Sequence, residues 1–274
     1  MPLTAFQAEL GRRLAANRSE DSYLAGAAPM LAEPNTRRFS QDLDYFHDTP
    51  ERVASAYDAD RQTLLAAGCT VDPELSQPGY IRAVVRREAE ATRVEWAYDS
   101  AWRFLPVIRN EVFGYQLHPI DLAINKVLAL AGRDEPRDVL DTLHCHAHVL
   151  TLSALVWAAP GKDPGFSPLS LLELLRRRGR VRPEDLSRLH LAEPVDVQEL
   201  KSEWLAALDG ADAFVRRRPP GEAGCLYYAT TQGRFVGPDT PGAGPIVPHY
   251  GAPGGVLPRI VEHTGDSEHR GDGR

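Results

Sequence analysis

The sequence predicts an α/β core with a mixed β-sheet (an α+β arrangement), followed by an all-α domain. Residues Asp42 to Phe46 alternate between polar and apolar side chains, which is typical of a half-buried strand. After Pro119 the apolar residues instead recur with helical spacing, and Ile120, Ile124 and Val127 share one face. This change of period divides the chain into an α/β region of about residues 1–118 and a helical region of residues 119–218.

The α/β region is predicted to start with an amphipathic helix and then to combine strands with one long helix. That long helix starts at Thr49-Pro50, because Thr is a favourable N-cap residue and Pro fits the first helical turn. Gly68 marks its end. The predicted elements are a helix at Thr4–Ala16, a strand at Tyr23–Ala25, the start of a helix or turn at Ala27–Leu31, a strand at Asp42–Phe46, the long helix to about Ala67, and strands at Tyr80–Arg87, Arg93–Ala97 and Arg103–Val107.

The later part of the chain is predicted to be helical, with a small hairpin in residues 219–237. Its strands, Leu226–Ala229 and Arg234–Val236, flank Gln232-Gly233. Pro238–Arg274 is rich in Pro and Gly and poor in large apolar residues, which predicts a mostly disordered tail. The predicted helices are Pro119–Gly132, Pro136 to about Leu150, Pro168–Arg178, Pro183–His190 and Asp196–Arg217.

Composition excludes several classes of protein. The 274 residues are 25% charged and 43% apolar, as in ordinary globular proteins, and neither a signal peptide nor a membrane span is expected. The net charge of −7 argues against non-specific coating of nucleic acid. Cys69, Cys145 and Cys225 lack CxxC spacing, so we expect reduced thiols, no disulfide framework and a cytoplasmic location.

Two aspartates in the strand Asp42–Phe46 are the main candidates for chemistry. Residues i and i+2 of a strand share a face, so the carboxylates of Asp42 and Asp44 project together, about 7 Å apart. Such a pair suits Mg²⁺, which prefers oxygen ligands and a substrate phosphate. Two solvated carboxylates are the alternative, but unpaired charge would be costly in a largely buried strand.

A third carboxylate is expected on a neighbouring strand. Glu95 is favoured, because Val94 and Trp96 would face the core on the opposite side, and Asp99 is its competitor. Upstream, Gly26 follows a strand and would let backbone N–H groups approach a phosphate, although it could also form a simple tight turn. The segment Arg37–Ser40 would place cationic and hydroxyl groups beside the metal, or form a solvated loop.

Two predicted helices carry further candidates. Lys126 lies at the edge of an apolar stripe, so its stem could lie on the core while its ammonium enters a cleft, or it could simply reach solvent. Asp138 and Asp141 are one turn apart on the same face. Asp138 also lies in the first helical turn, where an acidic residue is favourable for the helix alone. Arg137 is predicted to be solvated.

Two other clusters have weaker functional interpretations. His144, His146 and His148 suggest a metal site, but only two of them share a helix face and no carboxylate has HExxH spacing, so zinc is not favoured. The arginines of residues 176–182 and 216–218 are interpreted as solvated surface near helix ends. A patch for an RNA acceptor is the alternative.

Four blocks of the chain, taken in order, resemble the nucleotidyltransferases of the AbiEii/AbiGii toxin type. That family belongs to the DNA polymerase β-like nucleotidyltransferase superfamily. The blocks are Ala25–Ala28, Arg38–Phe46, Ile120–Lys126 and Pro136–Asp141, and the similarity covers about Tyr23 to Leu150. The resemblance implies a nucleotidyltransferase-like α/β core in which a helical domain closes one wall of a cleft.

The resemblance also implies roles for single residues. Gly26 and Ala27 match a Gly-Gly or Gly-Ser pair that holds the nucleoside triphosphate, and Ser40 would assist them. Asp42 and Asp44 match metal-binding aspartates, and Glu95 would supply the third carboxylate in place of Asp. Lys126 matches a lysine that contacts phosphate or nucleotide, and Asp138 matches the acidic residue of the last motif.

The expected function is therefore Mg²⁺-dependent transfer of a nucleotidyl group from an NTP to a hydroxyl. The acceptor would be an RNA, such as tRNA, or a protein. The resemblance extends this expectation to a toxin of a toxin–antitoxin or phage-defence system, with an antitoxin protein as partner and no role for a membrane. Two alternatives are a degenerate member that binds nucleotide or partner without turnover, and a purely interacting helical protein.

Overall fold

The computed structural model describes residues 3–31 and 37–258. Its first half combines a mixed sheet with three helices, in agreement with the α/β prediction. The strands of this half are β1 (Ser22–Ala25), β2 (Asp42–His47), β3 (Thr70–Gln77), β4 (Tyr80–Arg87), β5 (Glu90–Tyr98), β6 (Trp102–Arg103), β7 (Ile108–Asn110) and β8 (Gly114–Gln116). The helices are α1 (Ala5–Leu14), α2 (Ala28–Leu31) and α3 (Pro50–Ala66).

In the described part of the chain, seven strands form one sheet in the order β3-β4-β5-β2-β1-β8-β7. The pairs β2–β5 and β1–β8 are parallel, and the other neighbouring pairs are antiparallel. The register places Asp44 beside Glu95 on β5 and beside Ala25 on β1. These three positions therefore share one face at the centre of the sheet.

The two faces of the sheet have different roles. Leu43 and Tyr45 of β2 and Val94 and Trp96 of β5 are fully buried, in a cluster that includes apolar residues of α1 and α3. The opposite face carries Asp42, Asp44 and Phe46, which alternate with these buried residues. As predicted, Thr49 caps α3, accepting a hydrogen bond from the Arg52 amide.

The second half is mainly helical. Its helices are α4 (Pro119–Gly132), α5 (Pro136–His148), α6 (Leu152–Lys162), α7 (Pro168–Arg178), α8 (Pro183–Leu186) and α9 (Val197–Arg217). They enclose a large apolar cluster that contains Trp157, Trp204 and Phe214. Phe104 and Leu105 of the first half pack into the same cluster. The division at residues 118 and 119 stays a prediction.

The predicted all-α second domain is wrong in part, because the second half also contains β-strands, two of which form the predicted hairpin. The strands β9 (Leu226–Ala229), β10 (Arg234–Val236) and β11 (Ile246–His249) form a small sheet, and β12 (Ala252–Pro253) pairs with β6. Leu226 and Tyr227 belong to the helical core, so the hairpin is attached to it by apolar contacts.

The predicted disordered tail is wrong for residues 246–253. Strand β11 pairs with β9, and the buried ring of His249 forms a hydrogen bond of 2.9 Å between Nε2 and the Phe104 carbonyl. Pairing with an existing strand supplies backbone partners that a count of apolar residues does not reveal. Residues 259–274 of this prediction lie outside the described residues.

Three further elements of the structure differ from those predicted from the sequence. The strand expected at Arg103–Val107 is replaced by the short β6, because the amides of Phe104 and Leu105 donate to the carboxylate of Asp121. Strand β3 was not predicted, since it contains Pro73 and is mostly exposed. Helix α6 was not predicted either, because it is apolar on all sides and contains Pro160.

All three cysteines are buried and free. Within residues 3–31 and 37–258, no single helix has both the length and the apolar content to cross a membrane. Helices α5 and α6 reach that length and apolar content only when they are counted as one segment, and the two are bent by 111° relative to each other.

Candidate active site

A cleft of about 320 Å³ lies between the polar face of the central sheet and helix α4. It contains most of the candidate residues that the sequence analysis selected. Its acidic lining residues are Asp42, Asp44 and Glu95, and its cationic ones are Arg38, Arg82, Lys126, Arg133 and Arg137. Gly26, Ala27, Ser40, Phe46, Tyr80, Ala97, Leu122 and Asn125 also line it.

Asp44 is the most unusual of these residues. Among the described residues, no side chain or backbone amide forms a hydrogen bond or ion pair with its carboxylate. Burial, together with the nearby charges of Glu95 and Asp42, raises the pKa of Asp44 to about 6, although Lys126 and Arg137 act in the opposite direction. The carboxylate of Asp44 thus has no direct partner on the cleft floor, and a bound cation would stabilise its charged form.

Asp42 is weakly flanked by two arginines. Its carboxylate oxygens lie 3.6 Å from Nη1 of Arg93 and 3.5 Å from Nη1 of Arg137. Arg137 was predicted to be solvated, and that prediction is wrong, because α5 directs this side chain into the cleft. Arg137 reaches Asp42 because α5 packs against α4, which spacing along one helix does not indicate.

Gly26 brings the backbone against Asp44. Its φ is +64°, in the left-handed region, and a Cβ atom there would lie 1.8 Å from Oδ2 of Asp44. Only glycine therefore fits this turn between β1 and α2. Ala27 follows it in the cleft wall and is buried.

Ser40 has a structural contact in addition to its place in the cleft. Its hydroxyl donates a hydrogen bond of 2.9 Å to the carbonyl oxygen of Asp42. This bond fixes the chain where it enters β2. The proposed contact of Ser40 with phosphate stays a prediction.

Lys126 reaches the cleft wall, but its ammonium is paired. Its Nζ lies 2.7 Å from Oδ2 of Asp141, and Arg38 binds the same carboxylate through Nε and Nη2, at 2.7 Å and 2.6 Å. Burial raises the pKa of Asp141, but Lys126 and Arg38 outweigh burial and hold it at about 2. One buried carboxylate therefore positions two cations beside the cleft.

The sequence analysis selected Asp138 on this helix and did not select Asp141. Asp138 is fully buried and does not line the cleft. Its carboxylate accepts two hydrogen bonds from Arg133, at 2.7 Å and 3.0 Å, and Arg133 does line the cleft. In the structure Asp138 therefore positions Arg133. The expected contact of Asp138 with nucleotide stays a prediction.

Of the two candidates for a third carboxylate, Glu95 lies in the cleft and Asp99 does not. Asp99 pairs with Lys162 at 2.9 Å. Glu95 accepts a hydrogen bond of 2.8 Å from Nε of Arg82, so its charge is already partly compensated. Its role as a metal ligand stays a prediction.

The donor set of the cleft fits a magnesium ion that shares its coordination with a substrate. Among the described residues, no three His, Cys, Asp or Glu side chains are arranged as a complete metal site. Mg²⁺ is commonly bound through one or two carboxylates, with water and phosphate completing its shell. The unpaired Asp44 and the neighbouring Asp42 can supply those carboxylates. Among the same residues, His144 and His148 belong to no such group of three, and their rings stack with centroids 4.4 Å apart.

The close approach at residue 26 can be tested by substitution. Gly26→Ala is expected to lower the free energy of unfolding by at least about 1 kcal/mol, because a left-handed alanine is strained and its Cβ would displace Asp44. Gly210→Ala is the control, since a Cβ there meets no atom and the residue lies within α9, so stability should rise by up to about 1 kcal/mol. Chemical denaturation of both variants measures this. Wild-type stability in Gly26→Ala would contradict the geometry.

The electrostatic state of Asp44 predicts a pH-dependent difference in stability. Its pKa is about 6 in the folded chain and near 3.8 when unfolded, so the folded state loses stability as pH rises between these values. Asp44→Asn cannot ionise, so its stability relative to wild type should increase by about 2 to 3 kcal/mol from pH 4 to pH 7. Denaturation without divalent cations at both pH values measures the change. A difference that does not vary with pH would show that Asp44 is not destabilised when charged.

Comparison with known proteins concerns the fold. No protein-family model and no curated protein matches the chain. Among solved structures, the nucleotidyltransferase toxin MenT4 of Mycobacterium tuberculosis H37Rv matches with a TM-score of 0.51 and 17% identity, over 79% of this chain and 83% of MenT4. A candidate nucleotidyltransferase of Helicobacter pylori has a TM-score of 0.49 at 18% identity, over 78% of this chain and 98% of its own. JHP933 of Helicobacter pylori has a TM-score of 0.47 at 18% identity, over 78% of this chain and 95% of its own. The match with MenT4 shows that the chain has a nucleotidyltransferase-like fold, as the resemblance in sequence predicted.

Proposed function

We propose that the protein is a Mg²⁺-dependent nucleotidyltransferase, which transfers a nucleotidyl group from an NTP to a hydroxyl acceptor. The observation that carries this proposal is the unpaired carboxylate of Asp44 beside Asp42, on the floor of a cleft whose walls are cationic. A metal ion with a triphosphate would balance both sets of charges at once. The nucleotidyltransferase-like fold supports the same reaction class.

Asp42 and Asp44 would hold the metal ions in this proposal. When bound there, Mg²⁺ would supply charge neutralisation for the triphosphate and activation for the acceptor oxygen. Lys126, Arg38 and Arg137 line the adjacent wall and would bind phosphate oxygens, which become more negative as the reaction proceeds. Gly26 and Ala27 would let the backbone approach the phosphates closely, and Ser40 would hold the entry of β2 in place.

The bond changes follow from the substrates. The acceptor hydroxyl oxygen forms a bond to the α-phosphorus of the NTP. The bond from that phosphorus to the bridging oxygen breaks, and pyrophosphate leaves with the electron pair. The hydroxyl proton passes to a carboxylate of the cleft floor, for which Glu95 is our candidate because it lies beside Asp44 in the register.

The acceptor would be an RNA, such as tRNA, or a protein. The likeness to MenT4, a nucleotidyltransferase toxin, supports a toxin role for this chain, and an antitoxin protein would then be its partner. We therefore propose that expression of the active protein arrests cell growth, and that an Asp44→Asn variant does not. The acceptor class follows from the molecule that becomes labelled in the transfer assay described below.

A catalytically degenerate, nucleotide-binding protein of the same fold is the second candidate. Two observations favour it. Arg82 already compensates Glu95, and Arg93 and Arg137 flank Asp42. Ala27 also stands where the family has Gly or Ser. Such a protein would bind NTP with Mg²⁺ and release no pyrophosphate.

The decisive assay incubates the protein with each α-labelled NTP, Mg²⁺ and total cellular RNA, and follows both label transfer and pyrophosphate release. Asp44→Asn should abolish transfer while retaining the fold. Lys126→Met should reduce NTP binding or transfer at least about tenfold, because a lost charge-assisted hydrogen bond is worth about 1.5 to 3 kcal/mol.

Lys201→Met is the matched control, since Lys201 is an exposed lysine of α9 outside the cleft. It should behave as wild type. The protein itself can also serve as acceptor, so labelled protein and labelled RNA are separated on a denaturing gel. Binding without transfer under every condition would favour the degenerate candidate. Wild-type transfer by Asp44→Asn would remove this residue from the site.

A further inference from the structure

The cleft face of the sheet is organised in two rows that run across its strands. In the first row, the register places Asp44 beside Glu95, and Glu95 beside Arg82. The second row lies two positions away, later in β2 and β5 and earlier in the antiparallel β4. There the register places Phe46 beside Ala97, and Ala97 beside Tyr80. The first row is charged. The second is uncharged and has its smallest side chain in the middle.

The second row forms a notch, defined by Phe46, Ala97 and Tyr80. Adjacent strands are about 4.8 Å apart, so the Phe46 and Tyr80 backbones are about 9.6 Å apart across β5. Aromatic rings that contact each other have centroids about 4.5 to 7 Å apart, so one planar ring over Ala97 could contact both neighbours. All three residues are partly exposed and line the cleft, as does Leu122 of α4.

Each ring of the notch also contacts a neighbour that is not part of the notch. Phe46 packs against the apolar cluster that contains Leu122 and Tyr23. The guanidinium carbon of Arg82, the next residue on the same face of β4, lies 5.5 Å from the centroid of the Tyr80 ring. These contacts lie along the strands or beneath α4, and the methyl group of Ala97 is the only side chain that the register places between the two rings.

The cleft is therefore polarised along β2. Arg137 lies at the Asp42 end, and Lys126 and Arg38 meet on Asp141 in the cleft wall. The notch lies at the Phe46 end, four residues or about 13 Å away along the strand. A nucleoside triphosphate has the same polarity, with an anionic chain at one end and a planar heteroaromatic ring at the other.

We infer that the notch of Phe46, Ala97 and Tyr80 is the subsite for the nucleobase of the donor NTP, and that the small side chain of Ala97 admits the base. This inference rests on the proposed function. Stacking between two rings is tolerant of base identity because every base has a π-face. The notch thus provides affinity for a nucleobase, and the acids of the first row lie between it and the cations that would hold the phosphates.

Calorimetric titration of the full chain with each of the four NTPs and with inorganic triphosphate, all with Mg²⁺ and without acceptor, tests the inference. Ala97→Leu fills the notch, so it should weaken binding of the NTPs at least tenfold and leave the affinity for inorganic triphosphate unchanged. Ala91→Leu is the control, because Ala91 is exposed on the same face and strand but outside the cleft. It should match wild type for all ligands.

Tyr80→Ala provides a second variant in case leucine at position 97 disturbs folding. It removes one ring and should again weaken NTP binding while sparing inorganic triphosphate. Wild-type NTP affinity in both variants would overturn the base subsite and leave the proposed function intact. The same result is expected if the notch holds a base of the acceptor, because no acceptor is present in this titration. Equal loss of NTP and inorganic triphosphate in folded variants would also overturn it. A wild-type protein that binds neither ligand would overturn both proposals.

Discussion

The carboxylate of Asp44, which has no partner among the described residues, is the constraint around which the cleft is arranged. It lies between Asp42 and Glu95 and next to the backbone of Gly26. Repulsion among these acids and partial burial disfavour the charged form, so the apo protein carries unfavourable electrostatic energy at neutral pH. A cleft that must accept a cation with a bound anion explains this arrangement better than a requirement of stability does.

Three cations that line the cleft form ion pairs with buried aspartates instead of with Asp44. Arg133 is bound by Asp138, and Arg38 and Lys126 share Asp141. Buried pairs of this kind contribute little net stability, because desolvation offsets their attraction. They do fix each cation in one place, and helix α5 supplies both acids. We therefore assign α5 the role of positioning the cationic wall, while the sheet supplies the acidic floor.

The alternation in β2 and β5 was sufficient to predict the shared face of Asp42, Asp44 and Glu95, because side-chain direction in a strand follows from position alone. The α/β core followed by helices needed a second signal, the helical spacing of apolar residues after Pro119. The roles of Asp141 and Arg137 could not be predicted in the same way. They depend on how α5 packs against α4, whereas helical spacing shows only that Asp138 and Asp141 share a face. Helical spacing therefore left two candidate acids, Asp138 and Asp141. The first-turn position of Asp138 gave no reason to prefer Asp141.

Backbone partners explain the other differences. Strand β3 forms despite Pro73 because it is an edge strand with a regular partner in β4, apart from a shift in register at that residue. Strand β11 forms in a segment rich in Pro and Gly because β9 offers it a free edge and Phe104 offers His249 a carbonyl. The partners of β11 are distant in the chain, so local composition cannot reveal them. Strand β4 follows β3 after a two-residue turn, and there it is Pro73 and the exposed side chains that hide the strand.

The central claim is that Asp42 and Asp44 form a cation site that a triphosphate completes. Electron paramagnetic resonance of Mn²⁺, used in place of Mg²⁺, measures it directly by the loss of the free-ion signal. The account predicts weak binding by the protein alone, much tighter binding when a non-hydrolysable NTP analogue is added, and loss of this enhancement in Asp44→Asn. Mn²⁺ binding that is the same with and without the analogue, and the same in wild type and variant, would contradict it.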